Sequence, residues 1–250
     1  MIRIGVVGAS GRTGRCVVEA LQHHQEAKLH AAVVSPGSAS LRKRVPGSDL
    51  EYTANLDELS GSDVVVEFSN PETSARVAQW CADRGTPVLL ATTGHSPDQN
   101  RLVAECAERT AIGVTPNTSV GAAVLTALAG EAKKLLGDSF DIEVLDVHHR
   151  MKKDAPSGTA RAIVSSIASS GEVVFGRTGL RQSGEVGVVA LRGGDVVGDH
   201  TVYFLGAGER IEVTHRVSTR GVFGLGAVSL AIKLSRLNKG LYSASQLMKS

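Results

Sequence analysis

The stretch IRIGVVGASGRTGRCVVEAL (Ile2–Leu21) decides the fold of this chain. The apolar run Ile2–Val7 predicts a buried strand, and Arg15–Leu21 has the apolar spacing of a helix. Between them, Gly8–Gly14 carries three glycines in a G-x-x-G-x-x-G pattern. A strand, glycine turn and helix of this kind let a pyrophosphate approach the backbone at the helix N-terminus. The alternative is that the glycines serve only a tight turn.

Strand-like and helical runs continue to alternate along the first half of the chain. This alternation predicts a Rossmann-type α/β fold with a doubly wound parallel sheet, in which ligands bind beyond the carboxyl ends of the strands. The expected strands are Leu29–Val34, Asp63–Phe68, Pro87–Thr92 and Ala111–Thr115, with a helix over Pro71–Arg84. Their ends are small or polar, which together favours a dinucleotide in the crevice.

The end of the second strand bears on the choice of nucleotide. An acidic residue there would bind the adenosine ribose diol and favour NAD, but the chain has Ser35. Arg12 in the glycine loop and the basic run Arg42–Arg44 could instead bind a 2′-phosphate, because guanidinium groups match phosphate oxygens well. We therefore expect NADPH as the better cofactor, with NADH possible. Arg42–Arg44 could equally be a solvated basic loop.

The stretch VHHRMKKDAPSGTA (Val147–Ala160) concentrates histidines and cationic side chains directly before a predicted helix start. The free amides and the dipole of a helix N-terminus favour an anion, and Gly158 would let it approach the backbone. Crowded cations lower one another's pKa, which would make Lys152 or a histidine a better proton donor near neutral pH. The pattern indicates a carboxylate or phosphate site. A solvated basic face is the alternative.

Composition excludes several classes of protein. A formal net charge of +2 implies no broad attraction to nucleic acid, and no apolar run approaches membrane-spanning length. The cysteines, Cys16, Cys81 and Cys106, are odd in number and scattered, so we expect reduced thiols in a cytoplasmic protein. The N-terminal strand motif leaves no room for a leader, so none is expected.

The pattern changes after Asn117. A helix over Gly121–Leu136 is followed by expected strands at Asp141–His148, Gly184–Arg192, Asp199–Leu205 and Glu209–His215, and then by a last helix over Phe223–Leu237. These elements predict a smaller α+β domain with an open mixed sheet. We expect a dinucleotide-binding domain over residues 1–118, completed by 221–250, and a substrate-binding domain over 119–220.

The basic stretch from His148 to Ala160 resembles the signature of the 4-hydroxy-tetrahydrodipicolinate reductase family. Shorter blocks resemble the family's blocks in the same order along the chain. They are Gly8–Gly14, Val66–Glu72, Thr92–Gly94, Pro116–Gly121, Arg192–Thr201 and Thr214–Arg216. The departures lie on the cofactor side: Thr13 for a frequent methionine, Ala91 for the usual glycine, Thr118 for a common phenylalanine, and Ser35 for the ribose acid.

The resemblance implies an NAD(P)H-dependent reductase of lysine and diaminopimelate biosynthesis, acting on a cyclic imine dicarboxylate. It implies His148 and Lys152 as the catalytic pair, with Lys152 the proton donor, and His149, Gly158 and Thr159 as substrate-binding residues. It also implies a homotetramer assembled through the sheets of the second domain. The expected cofactor-binding residues are Gly8, Ala9, Ser10, Gly11, Arg12, Thr13, Ser35, Ala91, Thr92, Thr93, Thr115, Pro116, Asn117 and Thr118.

Two other functions compete with this interpretation. A related two-domain dehydrogenase, such as an aspartate or homoserine dehydrogenase, would share the architecture, and fold alone does not determine function. A catalytically silent NADP-binding regulator would be expected to lack His148 or Lys152. A metal site is not expected, because the sequence places no third His, Cys or carboxylate at ligand spacing and the neighbouring cations oppose a metal ion.

Overall fold

The computed structural model describes residues 1–168 and 173–249. The chain divides into two compact units. Unit 1 is Met1–Ser119 with Arg220–Ser250, and unit 2 is Val120–Thr219. Ser250, the last residue of the expected first domain, and residues 169–172 of the expected second domain lie outside the described residues.

The helices and strands are numbered in chain order. The strands are β1 (Ile2–Val7), β2 (Ala27–Val33), β3 (Tyr52–Thr53), β4 (Val64–Glu67), β5 (Val88–Leu90), β6 (Ala111–Val114), β7 (Asp141–His148), β8 (Val173–Phe175), β9 (Val186–Arg192), β10 (Gly198–Leu205), β11 (Arg210–Val217) and β12 (Gly240–Ser243). The helices are α1 (Arg12–Gln22), α2 (Pro71–Arg84), α3 (Pro97–Ala107), α4 (Val120–Leu136), α5 (Gly158–Ile167), α6 (Gly221–Leu234) and α7 (Ala244–Lys249). Leu56–Leu59 forms one turn of 3₁₀ helix.

Unit 1 is built on a seven-stranded sheet in the order β3-β2-β1-β4-β5-β6-β12. Its pairings are parallel. The strand order reverses between β1 and β4, which is where doubly wound sheets bind ligands. One buried cluster contains residues of α1, α6 and α7, and a second contains residues of α2 and α3, so helices cover both faces. The Rossmann-type prediction is confirmed.

Helix α3 and strand β12 are among the elements of this unit that the sequence analysis did not predict. Helix α3 begins with a capping box, in which Ser96 Oγ accepts a hydrogen bond from Gln99 N at 3.2 Å and Gln99 Oε1 accepts one from Ser96 N at 2.8 Å. Strand β12 pairs with β6 and closes that edge of the sheet with the C-terminal part of the chain.

Glycine lets helices α1 and α6 approach very closely. A Cβ atom added to Gly224 of α6 would lie 2.1 Å from the carbonyl oxygen of Cys16 on α1. A real Cβ cannot come that close to a backbone atom. The contact lies beneath the glycine-loop helix, so α6 supports the part of α1 that follows the loop.

Unit 2 contains a five-stranded sheet in the order β11-β10-β7-β9-β8. Strand β10 is antiparallel to β11 and β7, whereas β9 is parallel to β7 and β8. The buried cluster on one face combines Leu125 of α4 and Ile163 of α5 with sheet residues such as Phe204. The predicted open mixed sheet is therefore confirmed.

The opposite face of this sheet exposes large apolar side chains. Val189 and Leu191 of β9 are 41% and 49% exposed, and Leu205 of β10 is 37% exposed. Alternation along the strands places all of them on the side away from α4 and α5. Across the described residues, no helix combines the length and apolar character that a membrane crossing requires.

Gly224→Ala tests the close approach of α1 and α6. The added methyl group must push the helices apart, so we expect unfolding to become easier by about 2 kcal/mol, which lowers the melting temperature by roughly 5 °C. Gly37→Ala is the matched control, because a Cβ at Gly37 meets nothing within 4 Å. Thermal unfolding followed by circular dichroism measures both. Equal melting temperatures for the two variants would contradict the packing argument.

Candidate active site

Strand register gathers four polar side chains at one end of the helix-covered face of the unit 2 sheet. Alternation puts Asp146 and His148 on the same face of β7. Asp146 lies opposite His200 of β10, and His148 lies opposite Arg192 of β9. Asp146 is fully buried, and the side chains of His148, His200 and Arg192 are 10%, 2% and 17% exposed.

The Asp146 carboxylate is the common partner of this cluster. Its Oδ1 lies 2.9 Å from His148 Nδ1 and 3.2 Å from His200 Nε2. Both imidazole contacts are close in distance but bent rather than linear. Its Oδ2 accepts hydrogen bonds from the backbone N of Ser157 at 2.8 Å and from Arg192 Nη2 at 3.0 Å. One buried anion therefore joins β7, β9, β10 and the start of α5.

Burial and partners act in opposite directions on these groups. Burial alone would raise the pKa of Asp146, but the contacts from His148, His200, Ser157 and Arg192 outweigh it, and its pKa lies far below the ordinary value. For His148, burial has a larger effect on the pKa than the partner does. Burial lowers its pKa more than the Asp146 carboxylate raises it, and the charge of Lys152 lowers it further. At neutral pH Asp146 is therefore charged and His148 is neutral.

The predicted anion site lies at the start of α5. Ser157 is the N-cap residue, and its Oγ accepts a hydrogen bond from Ala160 N at 3.1 Å. The first turn of α5 carries no acidic side chain of its own within the described residues, and the buried Asp146 carboxylate lies at the N-cap amide of Ser157. Gly158 and Thr159, both expected to bind substrate, are the first two residues of this helix.

The basic loop between β7 and α5 has internal supports. Gly193 N donates to His148 O at 2.9 Å, and Arg150 N donates to Gly194 O at 3.3 Å, so the turn after β9 holds the loop. Lys152 Nζ pairs with Asp154 Oδ1 at 2.9 Å, and the Lys152 side chain is 22% exposed. Burial raises the pKa of Asp154, but Lys152 outweighs this and the pKa is lowered. Lys152 therefore has an anionic partner as well as cationic neighbours. His149 lies next to His148 at the start of the loop and is half-buried.

The structure also brings together side chains of metal-ligating type. One ligand atom each from Asp146, His148 and His200 lies within 4.8 Å of the other two. The spacing argument against a third ligand was therefore incomplete, because β10 supplies His200 from a distant part of the chain. The Arg192 guanidinium on the same carboxylate opposes a cation there, as the sequence argument expected of neighbouring cations.

In unit 1, the glycine loop packs against the backbone of the neighbouring strands. Gly8 has φ +77°, and a Cβ there would lie 2.0 Å from Phe68 O. A Cβ on Gly14 would lie 2.1 Å from Gly8 O. Helix α1 begins after Gly11 with no side-chain cap and no acidic residue in its first turn, among the described residues. This backbone cradle and open helix start fit a pyrophosphate.

The remaining predicted cofactor residues differ in what they can offer a ligand. Ser35 and Thr93 are exposed after their strands, and Ser10 Oγ lies 3.2 Å from Ser38 Oγ in the loop that follows β2. The hydroxyls of Thr115 and Thr118 are buried and donate to Asn117 O and Phe223 O. Those two threonines could meet a cofactor through their backbone rather than their hydroxyls. The other predicted residues lie at the same edge of the sheet. Arg12 and Thr13 are the first two residues of α1, and the loops contain Ala9, Ala91, Thr92, Pro116 and Asn117.

The basic residues proposed for a 2′-phosphate are not equivalent. Arg44 pairs with Asp49, and its Nε donates to Ser48 O at 2.9 Å. Arg12, Arg42 and Lys43 are exposed and form no ion pair within the described residues. Of the basic run, Arg44 is therefore the residue with a structural role.

Sequence reasoning assigned no role to Glu67. This fully buried carboxylate ends β4 beside β1, and its Oε1 accepts hydrogen bonds from Ser69 N at 2.6 Å, from Ser69 Oγ and from Thr92 Oγ1 at 2.9 Å. It therefore fixes two loops at the predicted cofactor edge. A charged residue closing an otherwise all-valine strand was the available signal.

Comparison with known proteins covers both units. A family profile described as "Dihydrodipicolinate reductase, N-terminus" matches residues 2–118, and one described as "Dihydrodipicolinate reductase, C-terminus" matches residues 121–248. Proteins named 4-hydroxy-tetrahydrodipicolinate reductase from Hahella chejuensis and an Anaeromyxobacter species are 39% and 38% identical to this chain. The alignments cover 99% of the chain and 99% and 98% of those proteins.

Solved structures show the same fold. A dipicolinate-bound dihydrodipicolinate reductase from a Paenisporosarcina species superposes with a TM-score of 0.74 at 23% identity, covering 97% of each chain. A probable dehydrogenase from Thermotoga maritima gives a TM-score of 0.71 at 14% identity, covering 99% of this chain and 93% of that one. On the strength of the two profiles and the near full-length relatives, the chain belongs to the dihydrodipicolinate reductase family.

Proposed function

We propose that this protein reduces 4-hydroxy-tetrahydrodipicolinate to tetrahydrodipicolinate with a nicotinamide cofactor, in lysine and diaminopimelate biosynthesis. Family membership supports the reaction. The observation that carries the proposal is the loop that leads from His148 past Lys152 into the N-terminus of α5. A related dehydrogenase would need no such combination of a proton donor and a dicarboxylate site.

The substrate carboxylates are the groups that α5 and the basic loop would bind. The N-terminus of α5, which begins at Gly158 and Thr159, favours one carboxylate, and His149 at the start of the basic loop adds a polar side chain. The Lys152 ammonium can then deliver a proton to the ring carbon next to the one that receives the hydride. The 4-hydroxyl group leaves as water, and adding one hydride and one proton to the dehydrated ring then completes the reduction. Protonation by a positioned acid accelerates such a step about 10²–10⁴-fold.

The glycine loop and the start of α1 would hold the pyrophosphate of the cofactor, and the loops fixed by Glu67 would line the same edge. When bound, the nicotinamide supplies the hydride. We propose NADPH as the preferred form. Arg12 and Arg42 are exposed and form no ion pair in the described part of the chain, and the second strand ends without an acid at Ser35.

We further propose that the protein forms a homotetramer through the open face of the unit 2 sheet. Val189, Leu191 and Leu205 expose apolar surface there. A second copy packed on this face would remove that surface from water, which stabilises by roughly 25 cal/mol per Å² buried.

Lys152→Ala tests the proton donor. The wild-type protein mixed with NADPH and freshly generated substrate should oxidise the nicotinamide, read at its absorbance band. Lys152→Ala should lower kcat by roughly a hundredfold, with a much smaller change in KM. Lys134→Ala, which removes an exposed lysine from α4, should leave kcat unchanged. No oxidation by the wild type would refute the reductase, and full turnover in Lys152→Ala would refute only the proton-donor role.

Arg12→Ala tests the nucleotide preference. Removing a guanidinium from the 2′-phosphate should raise KM for NADPH about tenfold, equivalent to about 1.4 kcal/mol, and should change KM for NADH little. Arg44→Ala should leave the ratio of the two KM values unchanged, because Arg44 is held by Asp49. Equal effects of Arg12→Ala on both cofactors would contradict a 2′-phosphate contact.

Val189→Asp tests the proposed interface. A charge in the middle of the open face should split the tetramer into smaller species, measured by light scattering coupled to gel filtration. Leu180→Asp is the control, because Leu180 is 92% exposed and lies outside the sheet. A wild-type monomer, or a Val189→Asp variant that stays tetrameric, would contradict assembly through this face.

A further inference from the structure

We infer that Asp146 is a positioning residue that holds the proton of His148 on Nδ1, so that His148 faces its ligand with Nε2 as a hydrogen-bond acceptor. The inference deepens the proposed function, on which its catalytic consequence rests. It divides the catalytic pair: Lys152 gives the proton, and His148 accepts a hydrogen bond.

The buried Asp146 side chain carries a negative charge. Its side chain has no exposed surface, yet two hydrogen bonds, from Ser157 N and Arg192 Nη2, reach the single oxygen Oδ2. Both donors are permanent, because a backbone amide and a guanidinium do not lose their protons near neutral pH. The carboxylate is therefore ionised, and Oδ1 can only accept.

The charge on Asp146 determines which ring nitrogen of His148 carries the proton. A neutral imidazole carries its proton on one nitrogen and a lone pair on the other. Nδ1 lies 2.9 Å from the negatively charged Oδ1. A lone pair at that distance from a buried anion would repel it, whereas an N–H is attracted even when the contact is bent. The proton therefore belongs on Nδ1, which leaves Nε2 with the lone pair.

A glycine lies beside Nε2 of His148. Gly198, at the start of β10, packs next to the ring, and a Cβ on that residue would lie 2.9 Å from His148 Nε2. Glycine at this position keeps side-chain atoms away from the acceptor nitrogen. The backbone there needs no glycine for its conformation, because Gly198 is not among the residues with positive φ.

The same carboxylate aligns the second histidine and the anion site. His200 Nε2 lies 3.2 Å from Asp146 Oδ1 and from Ser157 Oγ, so it also directs a proton toward the carboxylate. Ser157 begins α5, and its amide is bound by Oδ2. Asp146 thereby sets the orientation of His148 relative to the helix start that would bind a substrate carboxylate.

Lys152 and His148 therefore have different roles in catalysis. A neutral His148 with its lone pair on Nε2 has no proton to give at that atom. It can accept a hydrogen bond from a ring N–H of a ligand or from the Lys152 ammonium. Orienting the acid or the ring in this way contributes without His148 itself serving as the proton source.

The tautomer can be measured directly. In protein labelled with ¹⁵N histidine, long-range ¹⁵N–¹H correlation spectra distinguish a protonated from an unprotonated ring nitrogen. For the His148 ring at neutral pH we expect Nδ1 protonated and Nε2 unprotonated. The reverse assignment would overturn the inference. This spectrum of the wild type needs no variant and no substrate, so it remains decisive even if the proposed function fails.

Variants then test whether Asp146 is the cause. Asp146→Asn removes the charge and should shift His148 toward the Nε2–H form, which a free imidazole in water prefers. Asp141→Asn, an exposed position at the far end of β7, is the control and should leave the tautomer unchanged. An unchanged His148 tautomer in a folded Asp146→Asn protein would show that something else sets it.

Kinetics separate positioning from a purely structural role. Asp146→Asn should lower kcat by on the order of a hundredfold, and Asp146→Glu, which keeps the charge, should restore part of it. A purely structural role would instead lower the melting temperature of both variants alike and leave kcat of the folded fraction intact. That result would overturn the inference.

Discussion

The buried carboxylate of Asp146 is the constraint on which the unit 2 site depends. An ionised carboxylate without water needs donors, and removing one partner of such a group typically costs several kcal/mol. Here the donors come from β7, β9, β10 and the start of α5. Satisfying Asp146 therefore assembles the candidate site, because the same contacts position His148 and the start of α5.

In unit 1, close backbone contacts at glycines constrain the structure as the buried charge does in unit 2. Gly8, Gly14 and Gly224 are positions where a single methyl group would overlap a carbonyl. Close packing at Gly8 and Gly14 shapes the glycine loop proposed to bind the pyrophosphate, and Gly224 supports α1 behind it. Glu67 at the end of β4 is a second buried carboxylate, and it accepts hydrogen bonds from Ser69 and Thr92. In both units a buried carboxylate organises loops that carry the functional groups.

The sequence predicted the fold class well because the signals are periodic. The alternating runs predicted β4 and β7 nearly to the residue, and the Pro71–Arg84 helix was predicted with its observed bounds. The basic stretch at His148 could also be found, since its residues are adjacent in the chain. Its electrostatic partners could not. His200 and Arg192 reach Asp146 through strand register, and register depends on pairings between distant segments.

The sequence also could not show which partners individual side chains have in the folded protein. Thr115 and Thr118 looked like cofactor ligands, but their hydroxyls are used by nearby carbonyls. Lys152 looked crowded by cations alone, but Asp154 folds back to pair with it. In each case the local pattern showed a reactive group, and only the structure showed what already occupied it.

The central claim is that the loop from His148 to Thr159, organised by Asp146, binds a dicarboxylate. The most direct measurement is a ¹⁵N–¹H correlation spectrum of the labelled protein titrated with dipicolinate, the dicarboxylate carried by the related Paenisporosarcina enzyme. We predict that the amide signals of Gly158 and Thr159 and the ring signals of His148 shift together and saturate. Shifts that leave these residues unchanged and appear elsewhere in unit 2 would contradict it.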